Sequence, residues 1–392
     1  MIKSIVLYTE EIDDLELAVE ELFSQAKDFE FKKNNVAIVY MDAETEYKEL
    51  YPLLKNKWDI PFVGMTAMAM LTGAQGYCKS GISMMILSSD DSKFAVGMTE
   101  KLDNVNCKEE IKNTYERLEQ ELDGEEVKLV LTYGGKISGM VGDDIVDAVD
   151  ALNKNVKVYG ALASDVFKFQ DYRVFCNDKI EMMAQAFVLI TGDINPKFIS
   201  VNSISGKANF SYEVTEAKAN QVYRLGNGSF LDALEKAGMK SDKINVITDY
   251  IQSPFVLTLN KKDGLSVEVL RNLTYLDHEN KTGAFLGGVP EGTTLEIGLI
   301  NMDDVRSTVK KAFEEALKWI GGEKCTTILC CSCAARFLTL GNSGTAEAES
   351  YKDILPEDIS LMGMYSYGEY CPMGEEKWCN VFHNSTFTIL CI

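Results

Sequence analysis

The sequence of 392 residues has few positive charges, few prolines, few histidines and no long hydrophobic run. Lys and Arg total 39 against 60 Asp and Glu, so the formal charge is −21 and the average surface repels phosphate backbones and anionic lipid headgroups. We therefore expect no nucleic-acid partner. The apolar stretches fall far below the ~18–20 residues of a membrane-spanning helix, so we expect no membrane insertion.

The first residues and the cysteines indicate the compartment. The apolar run over residues 1–8 is too short for a signal peptide and has no small-residue cleavage site. The ten cysteines are scattered, without the regular spacing of a secreted disulfide framework. We expect a cytoplasmic protein whose thiols are mostly reduced and buried.

Nucleotide-binding motifs are absent from the sequence. A glycine-rich turn over residues 134–139 follows a predicted strand and precedes a predicted helix, where a phosphate loop would lie. It has neither the G-x-x-x-x-G-K-[ST] spacing of a P-loop nor the G-x-G-x-x-G spacing of a dinucleotide fold. The turn is therefore either a tight strand-to-helix connection or an anion contact at a helix N-terminus. We predict no cofactor.

Metal and nucleophilic chemistry have few candidate residues. Cys330, Cys331 and Cys333 lie in a predicted strand, where neighbouring side chains point to opposite faces, and they form no C-x-x-C knuckle. We predict no metal and no catalytic residue. His278 and His383 are the only histidines, so a Cys333–His383 pair is the one candidate for thiol chemistry.

Short β-rich runs alternate with amphipathic helical stretches, which predicts an α/β or mixed α+β fold. The recurring unit is a strand, a helix, a strand ending near glycine, and a hairpin, as in the segments that begin at residues 127 and 326. We read these units as divergent modules rather than a repeat array. Glycine-rich segments near residues 205–228 predict two domains of mixed sheets with packed helices, over residues 1–215 and 216–392.

The last third of the chain carries motifs of a known family. A strand ending in Cys-x-x-Arg, a glycine-containing aromatic turn followed by Glu, and a terminal His-Asn strand occur in that order in residues 331–336 (CSCAAR), 361–369 (LMGMYSYGE) and 382–386 (FHNST). These segments resemble the FIST C-terminal domain, and residues 269–271 (VLR) fit as well. The amino half resembles the FIST N-terminal domain at residues 64–66 (GMT) and 158–165 (VYGALASD).

The resemblance implies a FIST N-terminal-like domain over 1–215 and a FIST C-terminal-like domain over 216–392. It implies a non-catalytic sensory protein that binds a small ligand such as an amino acid, acts in signal transduction, and is read out by a separate signalling partner. No output domain fits in these 392 residues. The alternative is a hydrolase of a small amide or ester that uses cysteine and histidine.

The candidate ligand site combines polar residues at strand ends with the matched motifs. We expect one cleft that binds a zwitterionic or anionic metabolite, lined by Arg336, Tyr367, Glu369, His383 and Asn384, with Arg271 at its edge. An arginine suits a carboxylate and a glutamate suits an ammonium group. The sequence leaves a second reading open, in which Arg336 and Glu369 form a structural ion pair.

Overall fold

The computed structural model describes residues 2–135, 140–260, 264–322, 325–341 and 343–392. The first structural unit is built as strand, helix, strand, helix, strand, hairpin, strand. Its elements are β1 (Lys3–Thr9), α1 (Leu15–Gln25), β2 (Asn34–Met41), α2 (Tyr47–Lys57), β3 (Phe62–Thr66), the hairpin β4 (Met70–Thr72) and β5 (Gly76–Cys78), and β6 (Ile82–Ser89).

The second unit has the same succession of elements. They are β7 (Phe94–Met98), α3 (Cys107–Gln120), β8 (Leu129–Gly134), α4 (Gly142–Leu152), β9 (Lys157–Leu162), the hairpin β10 (Val174–Cys176) and β11 (Lys179–Glu181), and β12 (Gln185–Ile190). The glycine turn considered above lies between β8 and α4, and its residues 136–139 lie outside the described residues.

The third unit begins with β13 (Lys197–Asn202) and is then interrupted by a long insertion, which we call the inserted sheet. Its elements are β14 (Gly206–Lys218), β15 (Gln221–Leu225), β16 (Gly228–Ser229), α5 (Phe230–Lys236), β17 (Phe255–Asn260), β18 (Ser266–Arg271), β19 (Leu273–Asp277), β20 (Thr282–Phe285) and β21 (Thr294–Leu299). Its strands pair in the order β18-β17-β21-β14-β15-β20-β19, with β16 on β15.

After the insertion, the third unit continues with the same order of elements as the other two units, except that two short helices replace the second helix. Its elements are α6 (Met302–Ile320), β22 (Thr327–Cys333), α7 (Ala334–Thr339), α8 (Thr345–Lys352), β23 (Ser360–Ser366), the hairpin β24 (Glu369–Gly374) and β25 (Trp378–His383), and β26 (Thr386–Cys391). The predicted mixed α/β fold is confirmed.

The three units form three six-stranded sheets of one topology. Their strand orders are β1-β6-β2-β3-β10-β11, β7-β12-β8-β9-β24-β25 and β13-β26-β22-β23-β4-β5. In each sheet the two central strands are parallel and every other neighbour is antiparallel. Each hairpin joins a sheet that is not its own: the first unit's hairpin lies on the third sheet, the second unit's on the first, and the third unit's on the second.

A glycine recurs at the same place in the second parallel strand of each unit. Gly64, Gly160 and Gly363 lie opposite residues 39, 132 and 330 in the registers. A Cβ added at these positions would come within 1.8, 1.8 and 2.6 Å of the opposing carbonyl oxygens. Only glycine tolerates this approach, so the predicted glycine-ended strand has a steric origin.

The three sheets enclose one core, to which residues such as Tyr40, Tyr133 and Cys331 contribute from equivalent strands. Helix pairs cover the outer faces of the sheets: α1 and α2, α3 and α4, and α6 and α8. No helix in the described ranges has the length and apolarity to cross a membrane.

The predicted division at residue 215 does not follow the sheets. Residue 215 lies inside β14, and the hairpin exchange mixes strands from the two sides of that position in the second and third sheets. The segment with a sheet and apolar core of its own is 206–299, to which Val381 of β25 also contributes. In the second sheet the mixing comes from the hairpin β24–β25, and in the third sheet it comes from β13 and the hairpin β4–β5.

Candidate functional site

Two adjoining cavities lie where the inserted sheet meets the three-unit core. The outer cavity has a volume of about 120 Å³, and the inner cavity has a volume of about 20 Å³. Phe169, Leu286 and Tyr367 line both of them. The inner cavity has room for about one water molecule, whereas the outer one approaches the size of an apolar cavity that holds a six-membered ring.

The walls of these cavities are largely aromatic. The rings of Phe169 and Tyr367 stack with centroids 4.5 Å apart, and Tyr172 stands edge-on to Tyr367 at 5.2 Å. Asn272, Cys333 and Ser366 add polar side chains to the lining of the inner cavity, although its surface is almost wholly apolar. A mostly apolar cavity with a few polar groups is the usual form of a small-molecule site.

Residues 164–173, which we call the cap loop, close one side of the cavities through Phe167 and Phe169. Both phenylalanines have left-handed backbones, with φ of 54° and 53°. Asp165 stabilises this conformation because its carboxylate accepts the backbone N–H groups of residues 169, 170 and 171 and the Tyr367 hydroxyl at 2.6 Å. Burial tends to raise the pKa of Asp165, but these hydrogen bonds lower it below its ordinary value.

Glu369, the first residue of β24, lines neither cavity but contacts Ser366 and Cys333, which line the inner one. Its Oε1 accepts the Ser366 hydroxyl at 2.6 Å, and the Cys333 thiol also lies beside the carboxyl. Among the described residues, none forms a hydrogen bond of standard geometry to its Oε2. Burial raises the pKa of Glu369 to about 8, although the hydrogen bonds from Ser366 and Cys333 and the charge of Arg336 oppose that shift.

His383 and Asn384 lie at the end of β25, where His383 is paired opposite Glu369. His383 donates from Nε2 to the carbonyl of Cys371 at 2.9 Å, and burial lowers the pKa of the imidazole to about 4. Asn384 donates to the carbonyl of His383, while its buried Oδ1 has no partner in the described part of the chain. In the described part of the chain, Glu369 Oε2 and Asn384 Oδ1 are thus two buried oxygens without a hydrogen bond at the paired ends of β24 and β25.

Arg271 ends β18 of the inserted sheet and is fully buried. It donates to Asp143 Oδ1 at 2.8 Å, to the carbonyl of Gly288 at 3.0 Å and to the carbonyl of Phe382 at 3.1 Å. These contacts connect the inserted sheet with α4 and β25. The Arg271 side chain lines neither cavity and instead stabilises the contact between these elements.

Arg336 does not pair with Glu369, which corrects the ion pair considered from the sequence. Its Nε donates to Glu347 Oε1 at 2.8 Å, and its Nη1 donates to Ser203 at 2.7 Å. Both members of the Arg336–Glu347 pair are at most 1 % exposed. Glu347 lies on α8, so the pair joins the two short helices of the third unit.

Of the six residues expected to share a cleft, the structure brings Glu369, His383 and Asn384 together at the paired ends of β24 and β25. Tyr367 lines both cavities, whereas Arg271 and Arg336 are bound by other protein groups. Sequence reasoning missed the roles of Phe169 and Leu286. It also left Asp165 without a role, although Asp165 ends the motif segment 158–165.

The thiol alternative has little support from the geometry. Burial raises the pKa of Cys333 well above its ordinary value, as does the neighbouring Glu369 charge, whereas an activated thiol needs a lowered pKa. The His383 imidazole is occupied by the carbonyl of Cys371. In the described ranges no cluster of three or more His, Cys, Asp or Glu is arranged to hold a metal ion.

A larger groove lies elsewhere, between β7, α3 and the β10–β11 turn. It has a volume of about 380 Å³ and is lined by charged side chains of both signs, including Arg117, Lys179 and Glu100. None of the described residues that line this groove is aromatic, whereas six aromatic side chains line the two cavities. We therefore take the aromatic cavities as the candidate ligand site.

Comparison with known protein families matches the FIST N domain to residues 35–227 and the FIST C domain to residues 239–372. These matches together cover most of the chain, and the chain belongs to the FIST-domain proteins. FIST domains are generally described as small-ligand sensory domains in signal transduction. No curated protein matches the chain. Phe169 lies in the first matched segment and Leu286 and Tyr367 in the second, so both segments line the cavities.

Proposed function

We propose that this FIST-domain protein is a cytoplasmic, non-catalytic sensor that binds an amino acid or a related metabolite in the paired cavities and signals through a separate partner. One observation carries the proposal. Among the described residues, Glu369 and Asn384 each bury an oxygen without a hydrogen bond, and each is connected to the inner cavity through a lining residue, Glu369 through Ser366 and Asn384 through its neighbour Ser385 and Asn272. Leaving such a group unpaired costs about 1–3 kcal/mol, which a ligand with N–H donors would recover.

In this proposal the six residues have different roles. Tyr367, Glu369 and Asn384 contact the ligand. Arg271 and His383 stabilise the structure around the cavities, because their polar groups donate to backbone carbonyls. Arg336 anchors α7, whose first residues line the inner cavity.

For a ligand to reach Glu369 and Asn384, the cap loop has to move, since the inner cavity holds only about one water molecule. Opening would change the contact between Tyr367 and Asp165, and Leu286 would carry the change to the inserted sheet. The proposed signal is a shift of the cap loop and the inserted sheet relative to the three-unit core, which a partner protein could read.

A thermal-shift screen of amino acids and related metabolites tests this function. A compound present at one hundred times its Kd should stabilise the native protein by about 2.7 kcal/mol. Leu286→Trp fills both cavities from a half-buried position and should abolish the shift while leaving the fold intact. Leu299→Trp, at an exposed position of the same sheet, is the matched control and should keep it. Absence of any stabilising compound, or an unchanged shift in Leu286→Trp, would overturn the proposal.

A further inference from the structure

The charges around the two cavities are arranged in favour of a cation. The residues of the described chain that line them include no Lys, Arg or His. The nearby guanidiniums are already bound, Arg271 by Asp143 and backbone carbonyls and Arg336 by Glu347. A ligand carboxylate would lose its hydration there without meeting a positively charged partner, which is costly.

The unpartnered polar atoms have the complementary chemistry. Asn384 Oδ1 can accept a hydrogen bond, as can Glu369 Oε2 once the carboxyl has lost its proton, and an ammonium group has three donors and no acceptor. Glu369 accepts the hydroxyl of Ser366, and Asn384 precedes Ser385, whose hydroxyl donates to Asn272. Ser366 and Asn272 both line the inner cavity, so each of the two residues is connected to that cavity through one lining residue. The aromatic walls would favour a planar apolar body and also attract a positive charge.

We infer that the site takes an organic amine without an α-carboxylate, its ammonium bound at Glu369 and Asn384 and its apolar body held against Phe169 and Tyr367. This inference rests on the proposed function and narrows its ligand class. It separates amines from amino acids, which the family motifs alone do not.

Binding of such an amine is linked to proton release. Glu369 is surrounded by Cys331 and Cys333 of β22, Ser366 of β23, Cys371 of its own strand, His383 of β25, the Thr386 backbone of β26 and Arg336 of α7. Burial keeps the thiols protonated and His383 neutral, so Glu369 is the group of this cluster that titrates near neutral pH. It must lose its proton to pair with an ammonium, so affinity should rise about tenfold per pH unit up to about pH 8.

Three probes with one aromatic body separate the possibilities by titration calorimetry at about pH 7. They are 2-phenylethylamine, L-phenylalanine and 3-phenylpropionate. We expect the amine to bind at least about tenfold more tightly than the amino acid and to release a proton, and the carboxylate not to bind. Glu369→Gln should weaken amine binding by roughly 10- to 150-fold and remove its pH dependence.

The outcomes also distinguish this inference from the proposed function. If L-phenylalanine or 3-phenylpropionate binds as tightly as the amine, the amine class is wrong and the sensor function stands. If none of the three binds, the compound that the thermal-shift screen finds decides the inference. A bound compound with a carboxylate overturns it, and a bound amine without a carboxylate supports it. If that screen finds no compound either, both fail together.

Discussion

Glu369→Gln should change how the stability of the unliganded protein depends on pH. The carboxyl of Glu369 has its pKa raised from 4.5 to about 8 by burial. Between these values the native state holds a proton that the unfolded chain releases, so the free energy of unfolding falls as pH rises, by about 1.4 kcal/mol per unit. The amide of Gln has nearly the same shape and does not titrate, so the variant lacks this loss.

His383 sets the pH window for the measurement. Its pKa is lowered from 6.5 to about 4, so between these values the unfolded chain binds more protons and stability rises with pH. The two effects oppose each other below about pH 6.5, and only the effect of Glu369 remains between about pH 6.5 and 8. Over that interval the free energy of unfolding should fall by about 2 kcal/mol more in the wild type than in Glu369→Gln.

Urea unfolding at the two ends of this interval, followed by circular dichroism, measures the difference. Other titrating groups cancel in the comparison of the two proteins. Glu376→Gln, at an exposed position between the same two strands, should keep the wild-type slope. Equal slopes for the wild type and Glu369→Gln would show that burial does not raise the pKa of Glu369, and the proton release expected on amine binding would be refuted.

Three further substitutions test the interior contacts by urea unfolding. Arg336→Ala should lower the free energy of unfolding by about 3–5 kcal/mol, because Glu347 is left buried and unpaired. Adding Glu347→Ala should recover part of this loss, and additive effects in the double variant would contradict the pairing. Ser164→Ala should lose about 1–3 kcal/mol because its hydroxyl accepts from the amide of residue 68 and donates to the carbonyl of residue 365, which joins the three units; a neutral result would exclude that role. Tyr367→Phe should speed hydrogen exchange in the cap loop because Asp165 loses a partner, and unchanged exchange would show that the loop is held by its own backbone contacts alone.

The fold class and the modules could be predicted because apolar periodicity and glycine positions are local properties of the sequence. The recurrence of Gly64, Gly160 and Gly363 is such a local signal. The exchange of hairpins could not be predicted in this way. β4 and β5 have three residues each, and Met70 pairs with Met364, nearly three hundred residues away. Nothing in so short a strand specifies which sheet it joins.

The candidate site was predictable to a similar degree. The motifs placed Tyr367, Glu369 and His383 at strand ends; in the structure Tyr367 lines both cavities, and Glu369 and His383 are paired with each other. The partner of Arg336 was mistaken because two buried glutamates follow it, and spacing does not tell which one the guanidinium reaches. The aromatic wall was not predicted because its residues come from a loop and from the inserted sheet, and the contact between these two segments forms only in the tertiary structure.

The central claim is that ligand binds between the inserted sheet and the three-unit core. Hydrogen exchange of the wild-type protein, with and without a saturating compound from the thermal-shift screen, tests it most directly. The account predicts protection concentrated in residues 165–171 and 286–288, where backbone amides of the cap loop and of the cavity wall lie. Protection confined to the groove around Gly97, Arg117 and Lys179, with the cap loop unchanged, would contradict it.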